Sequence, residues 1–425
     1  MLGACQPVQQ ITNQPANSSP AATASPAATA TPSLSSAGNG PFTMPLLDAL
    51  LDDEDFLADA KSSIKLSDEE TRKLRAAADE AISQLDERSP DRRPMRESSE
   101  TAKAKVRQIL GTERGDRLIS LVQQKWSGEA AEAPNAVPTD TRIVVNIPAF
   151  RMDVFDQGKL RKTYRIGIGY PEFPLPIGTR KAKEIIINPS WTPPDEPWVK
   201  GKVHPHEKVE AGSKLNPLGV IKIPIGGPSL IHGGKSPDKI GGFASHGCVG
   251  LTNQQVEDLT VQISQLAGKA LSLEEIRKYE KEKTETKTID IPHDLTVELR
   301  YETIVVENGT LKIFRDVYER GTNTEENLRR VLAVYGVSLD QLNEPTRNKV
   351  LASLAEMDTD AQGNPVDVSA GNQNSIANKS NSTNQEVKVT SKIKGKKEIN
   401  IAIAQLSGKG YPAPFGVNIS ASSKR

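Results

Sequence analysis

Between Gly128 and Asp140 the hydrophobic period of this chain changes, and no other feature constrains its architecture as much. Before that point apolar residues recur at helical spacing, as in Leu46, Leu47, Leu50 and Leu51. Ser67-Asp68-Glu69-Glu70 has the form of a capping box, in which a hydroxyl and a carboxylate satisfy each other's backbone amides. It opens a helix with Leu74, Ala78, Ile82 and Leu85 on one face, which Ser89-Pro90 and Arg93-Pro94 end. A further helix is expected from about Ser99 to Gln124, interrupted near Gly111 to Gly115. After the change the pattern alternates. Arg142–Ile147, Arg151–Asp156 and Lys162–Ile168 are rich in Val, Ile, Tyr and Phe, and Asp156-Gln157-Gly158-Lys159 has the form of a hairpin turn. Further strands are expected at Lys183–Ile187, Gly219–Ile223, Ser229–Ile231, Thr288–Ile291, Thr296–Val306 and Leu311–Phe314. The pattern predicts a mostly β domain with a few helices, preceded by an α-helical region.

The two ends differ from both. Only 36% of the chain is hydrophobic, too little for every residue to share a core. Residues 6–40 are Ala, Ser, Thr, Pro, Gln and Asn, and from Asp358 onward Ser, Asn, Thr and Lys prevail. The expected organisation is a tether over 1–40, a helical region over 41–128, a linker over 129–140 and a β domain over 141–318. A short helical extension over 319–357 and a disordered tail over 358–425 complete it. Leu2-Gly3-Ala4-Cys5 matches the lipobox of bacterial lipoproteins, so Cys5 is expected to be a lipidation site, with the signal peptide lost through a start codon assigned too late. The 54 basic and 54 acidic residues cancel, and no arginine-rich stripe is present, which argues against nucleic-acid binding. No apolar run approaches the ~18–20 residues of a membrane span, so any membrane contact is expected through the anchor alone.

The chemistry concentrates in Ile231-His232-Gly233-Gly234 and Ala244-Ser245-His246-Gly247-Cys248-Val249-Gly250. Cys248 is the only cysteine beyond residue 5. A thiol beside imidazoles is a nucleophile, and flanking glycines let backbone amides approach a reacting carbonyl. Thr252-Asn253-Gln254-Gln255 then opens an amphipathic helix whose dipole, if aimed at the thiol, would lower its pKa. These residues predict cysteine-dependent acyl transfer.

His232-Gly233 followed by Ser245-His246-Gly247-Cys248-Val249 resembles the L,D-transpeptidase catalytic domain (YkuD-like). Asn146–Arg151 with its hairpin, Asn188–Pro194, Asn216–Gly219 and Phe314–Tyr318 extend the resemblance over about 141–318. It implies a β-sandwich-like fold in the cell envelope or periplasm that acts on peptidoglycan stem peptides without a cofactor. Cys248 would attack a donor tetrapeptide, release D-alanine and pass the resulting thioester to an amine or to water. His232 maps to the base and the Gly233 carbonyl to the group orienting its ring. Amides of Gly247 and Cys248 map to the oxyanion hole, and Ser245 and His246 shape the pocket. One departure stands out: Gly250 replaces the arginine usual in the family, with Lys235 or Arg180 as substitutes.

Three other readings compete. His204, His206, His232, His246 and Cys248 include metal-ligand types, but their spacing fits no common zinc motif; no metal is expected. A hydrolytic L,D-carboxypeptidase needs only water as acceptor. A catalytically weak, peptidoglycan-binding envelope protein would keep the domain without turnover. Trp191 is expected in the core, Trp198 in the core or the cleft, His204 and His206 at the surface, and His293 in a structural or a solvent-exposed position.

Overall fold

The structure, a computed structural model, describes residues 42–83, 85–86, 95–127, 133–194, 199, 203–204, 206–283, 285–361, 363, 387–388 and 393–417. Cys5 and Trp198 lie outside them.

The helical region begins with α1 (Met44–Leu51), α2 (Glu54–Ser63) and α3 (Asp68–Ser83), each started by a side chain that accepts an orphan amide. Thr43 Oγ1 accepts from Leu46 N at 3.1 Å and Asp53 Oδ1 from Phe56 N at 2.9 Å. Ser67 and Glu70 form the reciprocal capping box. A two-residue strand, β1 (Leu85–Asp86), follows, and then α4 (Met95–Leu110) and α5 (Thr112–Ser127). The break between the last two helices falls at Gly111, whose φ of 79° is left-handed. Phe42, Leu47, Leu74, Val106, Leu118 and Val122 close this helical core, which is continuous with that of the β domain.

The β domain is an eight-stranded mixed sheet. Its strands are β2 (Arg142–Asn146), β3 (Arg151–Asp156), β4 (Lys159–Arg165), β6 (Gly178–Ile187), β7 (Ile221–Pro224), β8 (Leu230–His232), β10 (Val249–Gly250) and β11 (Lys287–Arg300). They lie in the order β10-β8-β7-β6-β11-β2-β3-β4. A separate parallel pair joins β5 (Ile168–Gly169) to β9 (Phe243–Ser245). Helices α6 (Asn253–Leu266) and α7 (Leu273–Lys281) follow the cysteine motif, both opened by complete capping boxes. Two expected strands at 288–291 and 296–306 are one, β11, as far as Arg300. It bridges Pro292 through a register shift between Asp290 and Leu295, which absorbs the missing amide.

After β11 the chain leaves this sheet. Strands β12 (Ile304–Glu307) and β13 (Thr310–Phe314) pair as a hairpin, and α8 (Glu325–Val334) and α9 (Glu344–Met357) cover them. A short pair joins β1 to β14 (Val387–Lys388). The last strand, β15 (Glu398–Ala402), adds to β13 and buries Ile401, with Ile403 and Leu406 just beyond it. This corrects the expectation of a structureless tail from residue 358. Residues 364–386 lie outside the described residues, but 393–417 are ordered. Ile399, Ile401 and Ile403 alternate as a strand requires, a pattern hidden by the polar average of the tail.

Candidate active site

Two adjacent strands bring the motif together. β8 and β10 run parallel, with Ile231 opposite Val249 and His232 opposite Gly250. Residues sixteen apart in sequence thereby become neighbours, with Cys248 two residues before Gly250 and diagonal to His232. The loop carrying the thiol is a tight turn. Cys248 N–H donates to Ser245 Oγ at 3.0 Å, and that hydroxyl donates to Cys248 O at 2.5 Å. Gly247 has φ 92°, a conformation any side chain would strain, and its carbonyl accepts from Ser229 Oγ at 3.0 Å. The Cys248 amide expected in an oxyanion hole is therefore spent on Ser245, whose role is to close the turn. The His246 ring lies edge-on to Tyr170 and Phe173, with centroids 5.2 and 4.6 Å away.

His232 is buried at 2% exposure. Its Nδ1 lies 2.8 Å from the Gly233 carbonyl, so the tautomer that satisfies this contact carries its proton on Nδ1. Burial, followed by the charge of Lys235, holds the imidazole down from 6.5 to about 3, against the pull of the Gly233 and Leu218 carbonyls. Burial also pushes the Cys248 thiol up, while the Leu230 backbone and Lys235 draw it back. At neutral pH the resting pair is thus imidazole and thiol, both uncharged. The N-terminus of α6 is engaged elsewhere: Asn253 Oδ1 accepts from Val220 N at 3.3 Å and Gly234 N at 2.8 Å.

Lys235 lies across the motif. A Cβ built on Gly250 would stand 2.8 Å from Lys235 Cγ and 3.2 Å from its Cε, so the lysine stem fills the space above that glycine. Arg180 is placed otherwise, donating to the carbonyls of Lys125 and Trp126 at the end of α5. Trp191 is half-buried rather than in the core, its backbone bridged to Val209. His204, His206 and His293 are exposed. Among the described residues no three His, Cys, Asp or Glu side chains cluster as metal ligands.

Several residues of the site escaped the sequence reading. Tyr170-Pro-Glu-Phe173-Pro-Leu-Pro176 is buried and packs over the cysteine loop; an added Cβ on Gly169 would meet Phe173 O at 2.1 Å and Gly247 at 3.2 Å. Thr43 Oγ1 donates to Glu172 O at 2.9 Å, and Tyr318 Oη donates to Gly169 O at 2.9 Å while accepting from Leu175 N. The helical region and the residues after β13 thus hold this cover from two sides. Aromatic residues set among prolines were the available signal.

Residues 140–281 match the family model of the YkuD L,D-transpeptidase catalytic domain. The match ends before β11, short of the 141–318 span of the resemblance, although β11 sits in the middle of the eight-stranded sheet. No curated protein matches the chain. Among solved structures, an Ldtfm–avibactam carbamoyl enzyme is 17% identical, with 38% of this chain and 49% of that one covered and a TM-score of 0.24. The catalytic domain of the Enterococcus faecium L,D-transpeptidase is 17% identical over 39% of this chain and all of that domain, with a TM-score of 0.25. The Mycobacterium smegmatis L,D-transpeptidase is 16% identical over 38% of this chain and 58% of that one, with a TM-score of 0.23. The chain thus spans about half the length of the first of these.

Proposed function

We propose that this protein is a peptidoglycan L,D-transpeptidase of the cell envelope, with Cys248 as nucleophile and His232 as general base. The observation that carries the reading is the pairing of β8 with β10, which sets His232 beside the cysteine strand within a YkuD domain. A base held near 3 is uncharged at any physiological pH but weak, so it takes its proton only as the attack develops. The ring nitrogen remote from the Gly233 carbonyl receives the thiol proton as Cys248 sulfur attacks the amide carbonyl of a donor tetrapeptide. The backbone amide of Gly247 serves the developing oxyanion. Collapse breaks the C–N bond, the imidazolium returns its proton to the departing amine of D-alanine, and a thioester remains. An amine of a second stem then attacks the thioester, losing its proton to His232, and Cys248 is regenerated.

This order of events suits an uncharged resting pair, because proton transfer accompanies attack instead of preceding it. The buried cover of Tyr170 and Phe173 supports the cysteine loop, and the helical region supports that cover. Lipidation at Cys5 would place the domain in the periplasm on a long tether. Incubating purified protein with tetrapeptide-containing muropeptides should yield crosslinked dimers by mass spectrometry, and Cys248→Ala should abolish them, a loss of about 10³-fold or more. Tripeptide alone would make water the acceptor and the protein an L,D-carboxypeptidase. Dimers formed by Cys248→Ala would overturn the mechanism.

A further inference from the structure

We propose that Ser229 is a positioning residue of this site: its hydroxyl fixes the peptide between Gly247 and Cys248 and so sets the distance from the Gly247 amide to the Cys248 sulfur. The inference rests on the assignment of Cys248 as nucleophile and of the Gly247 amide as oxyanion donor, and it names the group that holds the two in place. Its basis is the way the pairing of β8 with β10 ends. Ile231 lies opposite Val249 and His232 opposite Gly250. The same offset of eighteen residues, carried back past the starts of both strands, sets Ser229 opposite Gly247. There the backbone turns, with Gly247 at φ 92°, and a side chain makes the link across: Ser229 Oγ donates to Gly247 O at 3.0 Å. Ser229 is 1% exposed, and the β7–β8 hairpin holds its backbone, with Ile225 N–H donating to its carbonyl at 3.2 Å and Leu230 paired to Pro224. One stretch of chain thus supplies His232 opposite the residue two after the thiol and Ser229 opposite the residue just before it.

A peptide unit is planar, so its carbonyl and its N–H turn together. Next to a glycine it turns most easily, because no Cβ restricts the torsion on that side. The unit between Gly247 and Cys248 is tied at both ends: the carbonyl to Ser229, and the Cys248 N–H to Ser245 Oγ at 3.0 Å. Two buried serines from separate elements therefore clamp it. The torsions that separate the Gly247 amide from the Cys248 sulfur run through this unit. Without the Ser229 hydroxyl one end is released, and the donor and the sulfur no longer keep a fixed separation. Attack on a carbonyl needs both at once, whereas simple alkylation needs the sulfur alone.

Two small reagents separate these demands without any peptidoglycan turnover, so the transpeptidase assignment and this proposal can fail independently. With p-nitrophenyl acetate the S–C bond forms as the C–O bond breaks, p-nitrophenolate leaves, and the thiol proton passes to His232 or solvent through an oxyanionic intermediate. With iodoacetamide the S–C bond forms as iodide leaves, and no oxyanion arises. First-turnover modification is followed at Cys248 by peptide mass spectrometry in the full-length protein. Val and Thr have the same shape and differ in the hydroxyl, so they report on that group alone. Ser229→Val should lower the acetylation-to-alkylation rate ratio by about tenfold, a fraction of the roughly 10²–10³-fold that loss of an oxyanion donor costs. Ser229→Thr should keep the ratio within about threefold of the natural protein, since its hydroxyl retains the bond. A ratio unchanged in Ser229→Val, or lowered equally in Ser229→Thr, overturns the proposal. Hydrogen exchange in the natural protein needs no variant to fold: the Cys248 amide should exchange on the order of 10²-fold more slowly than in an unstructured peptide. Exchange at the unstructured rate also overturns it.

Discussion

Two regions of this molecule bury ionisable groups, and they do so by opposite means. At the β8–β10 edge, where His232 is buried and Cys248 half-buried, no acidic group offsets desolvation, which with Lys235 pushes the imidazole down and by itself pushes the thiol up. Where β2, β3 and β11 meet β12 and β13, the buried charges have charged partners, although burial still pushes the Asp153 and Glu302 carboxyls up. Arg151 contacts Asp153 at 2.8 Å and also Glu307, and Glu307 reaches Lys312 at 2.5 Å. Arg300 meets Glu298 at 2.8 Å, and Arg142 meets the same carboxylate at 2.9 Å. Burial alone would push Glu298 up, but these two arginines outweigh it and hold the carboxyl below its ordinary range. Tyr411 packs on Phe155 and over Arg151, so the end of the chain covers the cluster. A small cavity here is lined by Arg151, Asp153, Arg300, Glu302 and Tyr411 and touches no residue of the cysteine motif. Paired charge fastens one part of the chain to another. Unpaired, neutralised groups are left able to exchange a proton.

The comparison predicts different responses to substitution. The largest effect belongs to the unpaired side: His232→Gln should lower kcat by about 10²–10⁴-fold, the usual contribution of a positioned base, while leaving the folded structure intact. It should also change acid stability in a defined sense. A histidine held at about 3 instead of 6.5 favours the folded state fully above 6.5, and that contribution drains away as pH falls toward 3. Unfolding free energy measured in urea should decline over this window in the natural protein and less so in His232→Gln. On the paired side, Arg151→Met leaves Asp153 and Glu307 buried without their shared cation and should cost about 3–5 kcal/mol in the same assay. The rate at which iodoacetamide alkylates Cys248 in the folded protein should not change. A large stability loss from His232→Gln, or altered thiol reactivity from Arg151→Met, would erase the distinction between the two regions.

Much of this was legible before any coordinates. The period change at 128–140, the helix starts at Ser67 and Thr252, and the approach of His232 to the cysteine strand all arise from local rules and one motif. What was not legible came from packing at a distance. The buried ion cluster joins residues 151, 300, 307 and 411, which no spacing connects. Phe173 and Tyr318 meet around the cysteine loop only because the helical region and the residues after β13 fold back on it. The upward push of burial on the thiol was not legible for the same reason. A neighbouring imidazole suggests an ion pair, whereas the degree of burial that prevents one depends on the whole surrounding fold. The strand at Glu398–Ala402 was missed through averaging, since five residues of alternation vanish in a polar tail of nearly seventy.

The pH profile of Cys248 alkylation by iodoacetamide tests the central claim most directly, that the resting nucleophile is an uncharged thiol beside an uncharged imidazole. The rate should climb steadily with pH through neutrality and level off only above the ordinary thiol range, in the natural protein and in His232→Gln alike. A plateau already reached on the acid side of pH 7, abolished by His232→Gln, would mean a thiolate–imidazolium pair and would contradict the account.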